Sequence, residues 1–375
     1  MSCSETKQMP PGPDRGKSDP DLPEVPANQV LFHVFVVNNY FSFLMHCRLI
    51  RLYGWDARNC LFITVRKFQL PAHFKAQGFE SVDFSAAVEI SSRGWLFRHL
   101  FRPWAAWRVV RDIRREIGSR SRGGDYDVFI YHSGTLTSDI IVADRRCRGY
   151  WFVEEGLVAY TRNLTKERVI RSRSVYWLES CLFPFCAHRL SKLKFNRGSK
   201  LYRGTFVSCR EAFPEFPERT VIGLPFAKLD AVPPECRNVI VFDGGILSED
   251  DEKENFLIHL REIVKRRESV AHYKFHPAWD EAKKARFREW FRDTLENEYG
   301  IRIVELRSDM ILENLAFTLK GELSVHILVS SAGFYSALCG CGVYTSAKHF
   351  DPVFRRWNEI YGNLNPEVAR RIKYI

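Results

Sequence analysis

Short, almost continuous apolar runs alternate along this chain with longer stretches of mixed polarity. Val30–Val37 is apolar at nearly every position and is stopped by Asn38-Asn39. Such a run predicts a strand buried on both faces, as in a parallel sheet. Tyr40–Tyr53 then reads as a helix and Cys60–Val65 as a second strand, a βαβ rhythm. Asp127–Tyr131 predicts another short strand, followed by His132-Ser133-Gly134. Tyr150-Trp151-Phe152-Val153 predicts one more, running into Glu154-Glu155-Gly156.

The pattern breaks at Phe213–Arg237, where Pro214, Pro217, Pro225, Pro233 and Pro234 interrupt the chain. That density marks a linker. A new series follows. Asn238–Asp243 is a buried strand, Gly244-Gly245 turn the chain, and Ser248-Glu249-Asp250-Asp251 has the cap and first-turn acids of a helix reaching about Arg267. Val270–Phe275 is a strand ending at His276-Pro277, Asp280–Tyr299 a charged helix and Ile301–Glu305 a strand. Met310–Leu319 is a helix. Val325–Val329 is a strand ending in Ser330-Ser331-Ala332-Gly333, and Phe334–Cys339 opens a further helix. The expected organisation is a disordered tail (1–28), a Rossmann-like domain (29–213), a linker (214–237), a second Rossmann-like domain (238–355) and a helical segment (356–375) packing back on the first domain. The fold class is α/β, with the active site in the cleft between the two domains.

Composition narrows the function. Of 375 residues, 45% are hydrophobic and 27% charged, which is globular rather than disordered. No apolar run reaches the ~18 residues of a membrane-spanning helix. The cysteines are scattered without a metal-binding spacing, which suits free thiols in a reducing compartment. The net charge of +11 implies a polyanionic partner. Two zones carry it. In Ser91–Arg122, arginines are interleaved with Trp95, Phe97, Phe101, Trp104 and Trp107. Between Arg162 and Arg203, a second basic zone flanks the apolar stretch Trp177–Phe185. Basic segments with interfacial aromatics suit an anionic membrane surface, and a long surface helix with solvated arginines is the plainer alternative. No zinc-finger, RNA-binding or basic-zipper signature points to nucleic acid.

Three strand ends carry candidate chemistry. Glu154 and Glu155 are adjacent carboxylates at the lip of the first domain, and like charges that close push a pKa upward, as a general base near neutral pH requires. His276 is a proton donor at a strand end, with Pro277 fixing the chain beyond it and Lys274 on the same strand face. Ser330 and Ser331 bring hydroxyls and exposed N–H groups to a helix N-terminus, which binds phosphate without a metal. Asn38, Asn39, His132 and Ser133 lie at other strand ends of the first domain and are acceptor-side candidates. Asp125-Tyr126-Asp127 has an Asp-x-Asp spelling but reads as a turn before a strand.

This trio resembles the bacterial sialyltransferases and polysialyltransferases that share a D/E-D/E-G motif, an HP motif and a Ser-Ser/Thr motif. Val239–Asp250 (VIVFDGGILSED), Tyr273–Pro277 (YKFHP), Glu305, Glu313 and Leu328–Ala337 (LVSSAGFYSA) resemble segments of that family, over about residues 238–340. In the first half the likeness rests on the opening strand and Val153–Tyr160. Phe242-Asp243-Gly244-Gly245 departs from the family's Gly-Gln-Pro-like turn. The resemblance implies a GT-B fold and a metal-independent, inverting transfer of sialic acid from CMP-sialic acid, with no cofactor. It implies that one acid of the pair, Glu154 ahead of Glu155, deprotonates the acceptor and that His276 serves the departing phosphate. It also implies that Ser330 and Ser331 contact the phosphate and nucleotide, and Lys274, Pro277, Gly244 and Gly245 are further nucleotide- and phosphate-binding candidates of this sequence. The charge then fits an anionic or lipid-linked glycan acceptor (lipooligosaccharide, capsule or polysialic acid) and a cytoplasmic protein held at the inner membrane face. Another nucleotide sugar such as CMP-Kdo, and a non-catalytic polyanion-binding protein, are the alternatives.

Overall fold

A computed structural model describes residues 31–65, 78–84, 103–133, 135–160, 195–244, 247–276, 279–362 and 366–375. The tail over 1–28, the aromatic start of the first basic zone, most of the second zone, Gly134, Gly245 and Pro277 lie outside the described residues. The described chain from Leu31 to Ile375 is one compact body.

The first run of strands is β1 (Phe32–Val37), β2 (Cys60–Thr64), β3 (Glu80–Asp83), β4 (Tyr126–Ile130), β5 (Cys147–Val153), β6 (Tyr202–Val207) and β7 (Arg219–Val221). All their pairings are parallel, in the order β3-β2-β1-β4-β5-β6-β7. β1, β2 and β4 are buried at every position, which is why they are continuous apolar runs in sequence. The edge strands β3 (ESVD) and β7 (RTV) are part-exposed and polar, so no apolar run announces them. β7 lies inside the stretch read as linker. β6 is also unannounced, because Arg203 and Gly204 split it.

Helix α1 (Tyr40–Tyr53) starts at Asn39, whose side chain accepts from Ser42 N–H at 2.8 Å, and ends at Gly54 in the left-handed conformation (φ 64°). Helix α2 (Pro103–Arg120) buries Val110, Ile113 and Ile117 and turns Arg108, Arg111 and Arg115 to solvent. Several of its arginines are paired: Arg115 with Asp112 at 3.4 Å, Arg114 with Asp144 at 3.7 Å, and Arg120 with Glu80 and Glu116. Helix α3 (Leu136–Ala143) follows β4.

The second sheet holds β8 (Asn238–Val241), β9 (Val270–Lys274), β10 (Arg302–Glu305), β11 (Ser324–Ile327), β12 (Gly342–Thr345) and β13 (Ile372–Tyr374), again parallel, in the order β10-β9-β8-β11-β12-β13. Its helices are α4 (Glu249–Lys265), α5 (Glu281–Trp290, running on through a π turn), α6 (Leu312–Leu319), α7 (Ser331–Leu338) and α8 (Asp351–Tyr361). Ser248 caps α4, accepting from Asp251 N–H at 3.2 Å. The segment 356–375, expected to be helical, ends instead in β13, which extends the second sheet beside β12. Ile372-Lys373-Tyr374 is a short half-exposed edge, another strand too polar to stand out in sequence.

The architecture is two Rossmann-like α/β domains with parallel sheets. In each sheet the strand order reverses once: between β1 and β4 in the first, and between β8 and β11 in the second. Crevices that take ligands open outside the carboxyl ends of the strands at such points. An aromatic seam docks the domains. Tyr335 of α7 stacks on Phe41 of α1 (centroids 3.8 Å apart) and Phe334 packs on Tyr160 (4.2 Å).

Candidate active site

The residues nominated at strand ends all lie at the carboxyl ends of these strands, but in unequal environments. Asn38-Asn39 follow β1 and His132-Ser133 follow β4, the two strands flanking the first sheet's reversal. Asn38 is buried and accepts from the Ser42 hydroxyl. Asn39 caps α1 and also donates from Nδ2 to the Glu155 carbonyl at 2.9 Å. That bond ties the end of β5 to the start of α1. Ser133 is buried, with Oγ accepting from Asn196 N–H at 3.2 Å. His132 packs edge-on against Tyr131 and Phe195. Asp125 and Asp127 sit at the amino end of β4, the opposite end of the sheet from the crevice, as the turn reading requires.

The adjacent acids divide. Glu154 is fully buried. Its Oε1 accepts from the phenols of Tyr160 and Tyr335, each at 2.6 Å, and its Oε2 accepts from Ser208 N–H at 2.7 Å. Burial raises its pKa, and these donors pull against that rise. Glu155 is half-buried at the lip. Gly156 follows with φ 151°, a conformation open to glycine and strained for any side chain. A Cβ added to Gly156 would stand 3.7 Å from Cβ of Ser331, so the Glu-Glu-Gly turn abuts the second domain.

In the second domain, Gly244 follows β8 and packs against the His276 ring: a Cβ at Gly244 would meet its Cε1 at 3.0 Å and its Nε2 at 3.1 Å. A side chain at Gly244 would therefore displace the His276 ring by a few tenths of an ångström. His276 is half-buried, and burial lowers its pKa. The Trp279 indole donates to the Asp243 carbonyl at 2.8 Å and closes the loop around it. Lys274 donates to the carbonyls of Arg307 and Ser308, each at 3.2 Å. Its pKa is lowered by burial and raised in turn by Glu313, which is itself buried. Ser330 caps α7: its Oγ accepts from Ala332 N–H at 3.2 Å and its carbonyl accepts from the Tyr361 phenol at 3.0 Å. Ser331, first residue of the helix, is half-exposed toward the turn at Gly156.

A half-buried carboxylate at the end of β5 thus stands near a helix N-terminus with a hydroxyl, and a half-buried imidazole follows β9 in the sheet from which that helix springs. Chemically, such groups can accept a proton, give one, and bind an oxyanion. Tyr160, Tyr335 and Ser208 were not nominated from sequence. Both tyrosines lie inside motif stretches quoted above, but no spacing rule couples residues 181 positions apart.

No family model matches this chain, and no curated protein matches it in sequence. Among solved structures it is similar to the calicheamicin glycosyltransferase CalG4 (TM-score 0.50, 11% identity, covering 91% of this chain and 92% of that one). It is similar also to a sialyltransferase from Photobacterium damsela (TM-score 0.49, 10% identity, 92% and 81%). A third is the UDP-GlcNAc 2-epimerase of Methanocaldococcus jannaschii (TM-score 0.46, 10% identity, 84% and 84%). At these identities the likeness is one of fold: two Rossmann-like domains in the GT-B arrangement.

Proposed function

We propose that this chain is a glycosyltransferase that moves sialic acid from CMP-sialic acid to a glycan hydroxyl, with inversion and without a metal. One observation carries the reading: the Glu-Glu-Gly turn of the first domain lies near the Ser330-Ser331 helix terminus of the second, with room for one methyl at Gly156 before Ser331 is met. A proton acceptor and an oxyanion-binding end thereby meet across one crevice.

The roles follow from exposure. Glu155 is the base, because Glu154 is sealed among three donors and cannot reach an acceptor. The acceptor oxygen attacks the anomeric carbon and its proton passes to Glu155. The bond from that carbon to the phosphate oxygen breaks through an oxocarbenium-like state. His276 donates to the departing phosphate, whose negative charge raises the imidazole pKa on binding. The N–H groups at the start of α7 and the Ser331 hydroxyl hold the same phosphate. The outward arginines of α2 suit an anionic or lipid-linked acceptor at an anionic membrane face. Salt-sensitive sedimentation with membranes checks that part, and protein wholly soluble at low salt removes it.

The decisive assay is mass spectrometry of products formed from labelled sugars with CMP-sialic acid, CMP-Kdo or other sugar nucleotides. A sialylated product supports the proposal. Transfer from another donor keeps the mechanism and changes the sugar. Glycan binding without any transfer, undiminished in a Glu155→Ala/His276→Ala double variant, makes the chain a polyanion-binding protein.

A further inference from the structure

Glu154 does no chemistry in this scheme, yet its carboxylate is held by three donors. Two of its donors, Tyr160 and the Ser208 N–H, belong to its own domain. The third, Tyr335, belongs to the other. Tyr335 lies four residues beyond Ser331 in α7, hence on the same face of that helix. Its ring is stacked at 3.8 Å and 16° on Phe41 of α1, and Phe226 packs on it edge-on at 5.8 Å. The residue that caps α1, Asn39, holds the carbonyl of Glu155.

These contacts close a circuit: Glu155 to Asn39, α1 to Phe41, Phe41 to Tyr335, Tyr335 to Glu154, and one peptide bond back to Glu155. We propose that Tyr335 is a positioning residue. Its phenol, carried on the helix that begins at Ser331, pins Glu154 and thereby sets Glu155 at a fixed distance from the phosphate-binding end of the second domain. Neither domain can shift at the crevice without breaking the circuit. Misplacement of a reacting group by ~1 Å costs on the order of 10²-fold in rate, so a pin of this kind acts on turnover more than on donor binding. The proposal rests on Glu155 being the base of a transfer reaction.

Two matched variants test it. Tyr335→Phe and Tyr160→Phe each remove one hydroxyl from the same oxygen of Glu154 and leave a ring in place. Tyr335→Phe loses its bond to Glu154, and Tyr160→Phe loses its bond to Glu154 together with contacts to Ser208 Oγ at 3.4 Å and Cys209 Sγ at 3.2 Å, so Tm should fall at least as far in Tyr160→Phe. Only Tyr335→Phe opens the circuit. It should lower kcat about tenfold or more with donor KM within about twofold, while Tyr160→Phe stays within about threefold in kcat. Hydrogen exchange of the substrate-free protein gives a second readout. Tyr335→Phe should speed exchange in both Glu154–Tyr160 and Ser331–Leu338, and Tyr160→Phe only in the first. Equal kcat losses in the two variants, or unchanged exchange at Glu154–Tyr160 in Tyr335→Phe, overturn the proposal. If the wild-type protein transfers no sugar, the exchange result still decides the pin, and what fails is the catalytic reading. Should Tyr335→Phe not fold, Phe41→Leu, which removes the ring that stacks on Tyr335 and packs edge-on against Phe226, takes its place with the same readouts.

Discussion

At the end of β5 the first polar side chain, Glu154, turns inward and is held by residues of both domains. At the end of β9 the first, Lys274, reaches the carbonyls of Arg307 and Ser308 and stays within its own domain. In both places the next polar side chain, Glu155 or His276, is left half-buried at the crevice. Two apolar strands thus end in a tightly held polar group followed by a half-buried one. The difference is what holds each. The first end takes its geometry from domain docking, whereas the second would survive in an isolated domain. A carboxylate with its charge removed from water needs donors from every side. A lysine needs only a few carbonyls.

That contrast breaks most readily at the acids. Glu155→Gln should lower transfer by about 10²–10⁴-fold and leave Tm nearly unchanged, since it sits half-exposed. Glu154→Ala should do the reverse in kind. It strands two phenols and a backbone N–H and should cost on the order of 3–5 kcal/mol of stability by denaturant titration. If Glu154→Gln folds normally and is inactive while Glu155→Gln turns over, the roles are exchanged.

His276→Ala should lower kcat by about 10²–10³-fold, the effect of losing a donor to developing charge. Unlike Glu154→Ala, it should leave domain docking intact, as judged by hydrogen exchange at Glu154–Tyr160.

Acid tests both domains at once. His46 in α1 and His259 in α4 are fully buried, and burial lowers each to about 3. Unfolded, each binds a proton near 6.5. A lowered folded pKa means that the unfolded state takes up protons first. The stability is fully present above pH 6.5 and is lost as pH falls from there toward 3. By pH 5 each histidine should have withdrawn about 2 kcal/mol, seen as a falling Tm between pH 7 and 5. Buried histidines lie in both domains, His33 and His46 in the first and His259, His272 and His326 in the second, so a single transition should persist. Two separated melts would show that docking is weaker than the shared seam implies.

The smallest effect is expected at Gly244→Ala. Its methyl meets the His276 ring at 3.0–3.1 Å, which the ring must relieve by moving a few tenths of an ångström. A loss of about tenfold in kcat with unchanged stability fits that displacement.

The central strands β1, β2, β4, β5, β8, β9 and β11 were legible because a strand buried on both faces is a continuous apolar run, whereas the interior strands β6, split by Arg203-Gly204, and β12, a short Gly-Val-Tyr-Thr, were not. Edge strands β3, β7 and β13 were not: a strand exposed on one side can be polar, and these are. The helix start at Ser248 was marked by its capping residue, whose chemistry is local, whereas Asn39, legible as the end of β1, proved to be the cap of α1 as well. The polar residues at the strand ends were legible as a set. Their division of labour was not, because Glu154 and Glu155 are the same residue type one position apart.

What the sequence determined by itself is therefore whatever depends on neighbours within a few positions: strand period, helix caps, the glycine after the acids, and the place where each apolar run gives way to polar side chains. Only the tertiary structure decided which carboxylate is sealed and which stands in the crevice. The reason is that a buried charge is defined by its donors, and Tyr335 reaches Glu154 from 181 residues away. Nothing local in either segment encodes that meeting. It exists because two independently patterned sheets dock through Phe41, Tyr160, Phe334 and Tyr335.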